Sequence, residues 1–317
     1  MRAITRLHWE SSGSDGFIIV AVLWILAALA ALVSIFALYV TNTAIAVTVS
    51  GDVVIADPLV SAAVELAAYQ LLGTSAEKRP AVGQFTARVG DARLAVAFQT
   101  EAARIDLNAA PKAVLSGLFV GFGAAPFDAD SYADRIIAWR TKAAGQAAQV
   151  VDTDPEDSLY RSVGLTYTPR HALFAHVSEL WLVYGIPPVL IERVLPYVTV
   201  FSGKAQVDIL DAAPAVIAAL PGMTPETLQG ILAARAAGTL DRSSLSQLSG
   251  GSGPNTTATD PGKSFRIGVR IDFKNGRHSA AEVVILLPDD GPDPYRILSW
   301  HNAFDATTDQ ALDFGRR

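Results

Sequence analysis

Residues 17–40 read FIIVAVLWILAALAALVSIFALYV, an uncharged and mostly apolar run that follows the polar stretch Glu10–Gly16. A helix needs about 20 such residues to cross the hydrocarbon core of a bilayer. No later run in the sequence is uncharged and apolar over a comparable length. The sequence therefore predicts a single membrane crossing near its start, with the bulk of the chain on one side.

The residues before this run indicate what kind of membrane segment it is. A secretory signal has a short apolar core followed by a cleavage site of small residues. Residues 1–16 lack such a core, carry Arg2 and Arg6, and end with Gly16 before the large Phe17. The basic residues favour a cytoplasmic location for this end of the chain. Cleavage after Gly16 and an uncleaved signal anchor both agree with the pattern.

Composition restricts the function classes. The 317 residues leave room for the anchor and one or two domains with real cores. A net charge of -6 and a pI near 5.4 argue against nucleic acid or anionic lipid as the main partner. The chain has no cysteine, which excludes disulfides, thiol catalysis and cysteine-ligated metals.

The anchor is expected to continue beyond the membrane as a long helix. From Thr41 to Leu72 the sequence stays apolar, with apolar residues three and four apart on one helix face. Gly51 and Pro58 interrupt this pattern, and a proline inside a helix removes a hydrogen bond. We therefore expect a kink or a short break near these residues.

Segments near both ends of the remaining chain read as β-strands. Two pairs should form hairpins, across Gly90-Asp91 and across Asn275-Gly276, because these residues tolerate positive φ. The predicted strands are Gln84–Val89, Arg93–Gln99, Phe265–Phe273, Ala281–Leu287 and Tyr295–Trp300. With the long helix they predict a small α+β domain.

The segment between the two hairpins, residues 104–248, reads as an almost entirely helical insertion that contains an internal repeat. Ile105–Pro111 and Val207–Pro214 have similar sequences, and an apolar helix follows each. An Asn or Asp is expected to cap each helix, whose first turn holds the proline. The insertion should therefore contain duplicated helical hairpins, and residues 249–262 read as a flexible linker after it.

Five blocks of the sequence occur in a characteristic order: Gly16-Phe17, Arg104–Pro111, Ser178–Gly185, Val207–Arg235 and Tyr295–Trp300. Together they resemble the family of minor pseudopilin K of type II secretion, general secretion pathway protein K. Their order and spacing make this similarity fairly specific, and it spans nearly the whole chain. The resemblance implies a type IV pilin-like fold with a large all-α insertion, and a protein that performs no chemistry.

The resemblance also implies how the chain is divided. Residues 1–16 would be a prepilin-type leader, which prepilin peptidase removes after Gly16 before Phe17 is N-methylated. Residues 17–40 would be the transmembrane part of the helix, and 41–103 the periplasmic helix with the first strands. The insertion and the linker follow, and 263–317 would supply the remaining strands.

The implied role is the cap of the pseudopilus tip, which helps to initiate assembly for protein export across the outer membrane. The implied partners are minor pseudopilins I and J, the major pseudopilin, and the inner-membrane secretion platform. The chain would be a single-pass inner-membrane protein with its bulk in the periplasm.

Ala21 agrees with a position at the tip. Major pilins and pseudopilins carry a glutamate at the fifth mature residue, which offsets the amino terminus of the neighbouring subunit. Counted from Phe17, that position is Ala21. A charge within the bilayer is costly unless it is paired. A subunit without this carboxylate cannot satisfy an amine from a subunit ahead of it, and therefore comes first.

Calcium is the one cofactor that the sequence suggests. The acidic residues Asp152, Asp154, Glu156 and Asp157 are closely spaced, and oxygen ligands suit calcium. This segment resembles an acidic stretch of the K family in which some members hold calcium. It lacks the EF-hand pattern, and a solvated acidic loop is the more common explanation for such a segment. The sequence Arg140-Thr141-Lys142 also departs from the acidic residues that the family shows there.

A membrane-tethered DNA-binding module is the alternative function. Val207–Arg235 resembles a helix-hairpin-helix, which binds phosphates through the backbone of a glycine-rich turn. The turn here, Leu220–Glu226, lacks the second glycine and carries an acid. Phosphate binding depends on Lys and Arg, of which this acidic chain offers few. Nucleic acid is therefore an unlikely partner.

Overall fold

The computed structural model describes residues 15–75, 78–142, 155–240, 257–258 and 262–303, although the side chains of 15–18, 41–54, 257–258 and 303 are left undescribed. The chain divides after Pro58 into two compact units. The first contains most of helix α1, and the second contains the rest of that helix, the sheet and the insertion.

Helix α1 comprises Asp15–Leu72. It is continuous through Gly51 and Pro58, so the expected short break is wrong. In the second compact unit its buried positions recur every three or four residues, which is the period of one helix face. They are Leu59, Val60, Ala63, Val64, Ala67, Ala68 and Leu71.

Five antiparallel strands form one sheet in the order β1-β2-β7-β8-β9. Most of their bounds agree with the sequence prediction within two residues. The strands are β1 (Val82–Val89), β2 (Ala92–Thr100), β7 (Ser264–Asp272), β8 (His278–Leu286) and β9 (Arg296–Ala303). Strands β1 and β9 form the edges, and β7 in the centre is almost entirely buried.

The two hairpin turns differ in how they reverse the chain. Gly90 and Asp91 alone separate the paired residues Val89 and Ala92, as predicted for a two-residue turn. Between β7 and β8, only Gly276 has a positive φ, of 79°, while Asn275 does not. The Asn275 side chain instead accepts a hydrogen bond from the Arg277 N–H at 3.1 Å. The longer loop therefore needs one left-handed residue where the sequence suggested two.

The insertion leaves and re-enters the sheet at one point. Thr100, the last residue of β2, is paired with Phe265 of β7, so the insertion begins and ends on neighbouring strands. Its helices are α2 (Lys112–Gly121), α3 (Pro126–Arg140), α4 (Pro155–Ser162), α5 (Pro188–Val194), α6 (Pro214–Ala218) and α7 (Pro225–Ala236). Three 3-10 turns accompany them at Glu101–Ala103, Val177–Leu182 and Leu195–Tyr197.

Short parallel strands also occur in the insertion, which is therefore less completely helical than predicted. Strand β3 (Ile105–Asp106) pairs with β4 (Val198–Thr199), and β5 (Val207–Asp208) pairs with β6 (Thr257–Ala258). Strand β6 lies inside the predicted linker, so at least these two residues are held in a pairing. Each copy of the repeat thus begins with a strand whose partner comes later in the chain.

The expected helix caps are wrong. The residue at the cap of α2 is Pro111 and that of α6 is Ala213, and neither makes a side-chain cap hydrogen bond. The aspartates instead stabilise a turn that precedes each helix. Asp106 Oδ1 accepts the Asn108 N–H at 2.7 Å, and Asp208 Oδ1 accepts the Leu210 N–H at 3.0 Å. Such short-range turns position the chain before each helix starts.

Candidate functional site

The first part of α1 has the properties of a membrane anchor. Ile19–Val40 is a 22-residue stretch of mean hydropathy 2.9, and none of it is buried within the protein. Gly16 and Phe17 lie in the first turn of α1, and the partly exposed Ala21 lies one turn further on. A second stretch, Ile55–Leu72, is also apolar enough to span a membrane, but 44% of it is buried as in a core helix.

The part of α1 in the second compact unit also presents an exposed apolar stripe. Ala62, Leu66 and Tyr69 follow one another at spacings of four and three, so they share one helix face. The Leu66 side chain is 39% exposed and that of Tyr69 is 77% exposed. Next to this stripe, the Tyr295 hydroxyl donates a 2.8 Å hydrogen bond to Glu65, which joins the helix to the segment before β9.

A buried charge cluster joins the insertion to the sheet. Glu101 directly follows β2 and is fully buried, and Arg266 of β7 donates to its Oε1 at 2.6 Å. Arg266 also donates to Glu282 on the neighbouring strand. Burial opposes the charge of Glu101, but Arg266 and Arg104 overcome this and hold the pKa of that carboxyl below its usual range. Such a pair is costly to break, because either charge alone would be buried without a partner.

Two arginines hold the repeats together internally. Arg140, the last residue of α3, donates to the Leu107 carbonyl at 2.6 Å and to the Ala110 carbonyl at 2.7 Å. In the second copy Arg235 donates to the carbonyls of Ile209 and Ala212. Each guanidinium therefore joins the end of one helix to the segment that begins its own copy.

The Ser178–Gly185 block is connected to the core of the insertion through Glu179. One carboxylate oxygen accepts from Arg170 at 2.6 Å and from the Ala175 N–H at 3.0 Å, and the other accepts from the Trp139 indole at 3.2 Å. Further along, the Tyr184 N–H donates to the buried Tyr160 hydroxyl at 2.8 Å. The block is therefore an organising segment of the insertion.

The candidate calcium residues are only partly described. Asp152 and Asp154 lie outside the described residues, whereas Glu156 and Asp157 lie in the first turn of α4. Asp157 already contacts His171 Nε2 at 2.9 Å and Arg161 at 3.4 Å. Over the described ranges, no three His, Cys, Asp or Glu residues are grouped so that they could hold a metal ion. Calcium binding by the whole acidic segment stays a prediction.

The comparisons with known proteins bear on this arrangement. Residues 94–203 match the model of the family described as Type II secretion system (T2SS), protein K. A chain of the crystal structure of the GspK-GspI-GspJ complex from the enterotoxigenic Escherichia coli type 2 secretion system shares the fold with a TM-score of 0.54 and 18% identity, over 77% of this chain and 94% of that chain. No curated protein sequence matches. The resemblance to minor pseudopilin K is confirmed.

The region that matches the family model coincides with the centre of the geometry described above. Residues 94–203 include Glu101, Arg140 and the Ser178–Gly185 block. The predicted fold class, a pilin-like α+β fold with a helical insertion, is also confirmed.

The turns of the helical hairpins offer little to a nucleic acid. Each turn has one left-handed glycine, Gly123 with φ 98° and Gly222 with φ 76°. The helix that follows carries an acid in its first turn, Asp128 in α3 and Glu226 in α7. A carboxylate there repels the phosphate that a helix N-terminus would otherwise attract. The geometry therefore disfavours the DNA-binding alternative.

Sequence reasoning missed the residues that hold the insertion in place. Arg266 carried a signal, because a charged residue within an apolar predicted strand often has a buried partner, whereas Glu101 lies outside the predicted strands. Arg140 was read only as a departure from an acidic family pattern. Nothing in its local sequence indicates that its partners are carbonyls 30 and 33 residues earlier in the chain.

Proposed function

We propose that this chain is a non-enzymatic minor pseudopilin that caps the tip of the type II secretion pseudopilus and helps to initiate its assembly. The match to protein K and the fold shared with a chain of the GspK-GspI-GspJ complex support this role. By the same likeness, its partners are minor pseudopilins I and J, with the major pseudopilin and the secretion platform below. It crosses the inner membrane once, and its bulk lies in the periplasm.

Ala21 is the observation that carries the tip position. It is the fifth residue counted from Phe17 and lies within the apolar anchor, where an unpaired charge is costly. With a methyl group there, the chain has nothing to neutralise the amino terminus of a subunit placed ahead of it. Subunits with a carboxylate at this position can follow it, so it occupies the end of the assembly.

The exposed stripe of α1 supports assembly through helix packing. Ala62, Leu66 and Tyr69 present an apolar face on the helix. An apolar stripe at this spacing is suited to the face of another helix. The neighbouring pseudopilin helices would cover it.

Labelling of sheared pseudopili from the native host tests the tip position. A tagged wild-type chain should be found at one end only. Ala21→Glu should allow incorporation behind other subunits and give label along the shaft, whereas Ala21→Val should behave as the wild type. Label along the whole length with the wild-type chain would contradict the cap.

The processing step has its own test. Prepilin peptidase is expected to cut after Gly16 and Phe17 to be methylated, so Gly16→Leu should leave an unprocessed chain that neither assembles nor supports export. Mass spectrometry of the chain recovered from membranes measures the cut. Gly13→Leu, in the same leader but away from the junction, is the matched control. Normal export with Gly16→Leu would overturn the proposal.

A binding assay with duplex DNA separates this proposal from the alternative. The pseudopilin predicts no salt-dependent binding, because the chain is acidic and its hairpin turns carry carboxylates. Binding that weakens steeply with salt would favour the tethered DNA-binding module instead.

A further inference from the structure

Two histidines form a contact between the insertion and the outer strand of the sheet. His176 precedes the 3-10 turn Val177–Leu182, and His301 lies in β9. Their rings stack, with centroids 5.0 Å apart and planes inclined by 29°. The two imidazoles are far apart in sequence and belong to different elements, so this stack depends on the insertion lying against β9.

The hydrogen bonds of His176 define which protonation state this contact needs. Its Nδ1 accepts the Ser178 N–H at 3.1 Å and thereby caps the 3-10 turn. A ring nitrogen that accepts an N–H cannot itself carry a proton. A second proton on His176 would therefore remove the cap.

The charges around His176 come from every neighbouring element. Glu179 lies in its own turn, Arg266 in β7, Glu282 in β8 and His301 in β9. Burial, His301 and Arg266 lower the pKa of His176 and outweigh the two glutamates. If both rings were charged, they would also repel each other across the stack.

We propose that the His176–His301 pair is a pH-sensitive latch, which joins the start of the Val177–Leu182 turn to β9 when the His176 ring is neutral and opens that contact when the His176 ring is protonated. The folded chain disfavours the charged form of His176, so the open state binds more protons. The contact is therefore fully stable above the ordinary imidazole pKa of 6.5 and weakens as the pH falls below it. This latch does not depend on the proposed tip position.

Two tryptophans report on the latch directly. Trp181 lies in the turn, and Trp300 precedes His301 in β9. In the full chain in detergent micelles, labelled with 5-fluorotryptophan, the 19F signals of both should shift between about pH 8 and about pH 5 with one shared midpoint. The signal of Trp24, which lies in the apolar anchor, should not follow that transition.

Substitutions of the two histidines test whether protonation of His176 causes the shared transition. His176→Asn keeps an acceptor for the Ser178 N–H but has no proton to gain, so the shared transition should disappear. His301→Phe keeps a ring without a charge, so the midpoint should rise towards 6.5. His278→Asn, at an exposed histidine bonded to Asp272, should leave the midpoint unchanged. The absence of a shared transition in the wild type, or its persistence in His176→Asn, would overturn the latch.

Discussion

The two copies of the helical hairpin share a plan but differ in completeness. The first copy has helices α2 and α3 of 10 and 15 residues, whereas α6 and α7 of the second have 5 and 12. Both begin with a short strand, an aspartate-centred turn and a helix, and both are tied by an arginine. Only the first has Asn108, whose side chain binds the backbone of Phe174 at 3.0 and 2.7 Å. Leu210 stands in that place in the second copy.

The contact between the copies shows why they remained alike. Gly117 lies five residues after the start of α2, and Ala219 lies five residues after the start of α6. These equivalent positions touch, because a Cβ on Gly117 would lie 2.2 Å from the Ala219 carbonyl oxygen. Contact between equivalent positions is the arrangement that an approximate twofold rotation of one copy onto the other would produce. The two copies therefore pack against each other through their first helices, and each copy contributes the same positions to this contact.

The largest expected effect is at this contact. Gly117→Ala should lower the free energy of unfolding by about 3 kcal/mol, since the new methyl group clashes with backbone that cannot move aside. Urea unfolding of the full chain in micelles, followed by near-UV circular dichroism, measures it. Gly230→Ala in α7 should instead raise stability by up to about 1 kcal/mol, because no atom of the described residues beyond its own helix would lie within 4 Å of the new Cβ. Equal results for the two variants would contradict a close contact of the copies.

The arginine ties should give the next largest effect. Arg140→Ala should cost about 2.5 kcal/mol of unfolding free energy, because two buried carbonyls lose their donor. Arg235→Ala should cost less, as the buried Nε of Arg235 has no hydrogen-bond partner in the described part of the chain. Arg161→Ala is the control: that side chain is 53% exposed, and its loss should change stability by less than about 0.5 kcal/mol. If Arg140→Ala lowers the free energy of unfolding as little as the control does, the hydrogen bonds of Arg140 to the two carbonyls do not stabilise the first copy.

Much of this architecture was accessible from the sequence, since a long uncharged apolar run predicted the anchor, and short apolar segments bounded by turn residues predicted all five strands of the main sheet. The two copies were also visible, because Ile105–Pro111 and Val207–Pro214 are local and similar. The arginines were not, since Arg140 lies 14 residues after Pro126 and Arg235 only 10 after Pro225. Side chains that reach back to distant carbonyls leave no periodic trace.

Sequence reasoning also missed where the second copy ends, because that end is defined by a pairing with residues far away in the chain. Residues 198–204 read VTVFSGK and residues 257–263 read TATDPGK. Each segment begins with the strand that pairs with the first strand of its copy, and this pairing closes the copy. Both also contain a left-handed glycine, Gly203 with φ 65° and Gly262 with φ 74°. Composition made the second of these look like a linker. The pairing of Thr257–Ala258 with β5 and the left-handed Gly262 make it the counterpart of residues 198–204.

This correspondence predicts an intermediate effect. Asp106 Oδ2 accepts the Gly203 N–H at 2.7 Å and the Ser202 hydroxyl at 3.0 Å, so Asp106→Asn should cost about 2 kcal/mol of unfolding free energy. If Gly262 closes the second copy in the same way, Asp208→Asn should cost a similar amount by the same urea assay. Asp289→Asn, at an exposed pair with Lys263, is the control and should be neutral. If Asp208→Asn leaves the free energy of unfolding unchanged, Asp208 does not bind the Gly262 segment as Asp106 binds Ser202 and Gly203.

The smallest effect should come from the feature that the copies do not share. Asn108→Leu gives the first copy the residue of the second, and should cost about 1 kcal/mol, because Asn108 is only partly buried and water can replace part of its bonding to Phe174. The Phe174 amide should then exchange its hydrogen about five-fold faster, as measured by mass spectrometry. Asn108→Asp keeps an oxygen that accepts the Phe174 N–H and should lose only part of this protection. If hydrogen exchange at Phe174 is unchanged in Asn108→Leu, the hydrogen bonds between Asn108 and Phe174 do not stabilise the first copy, and its longer helices are the difference that matters.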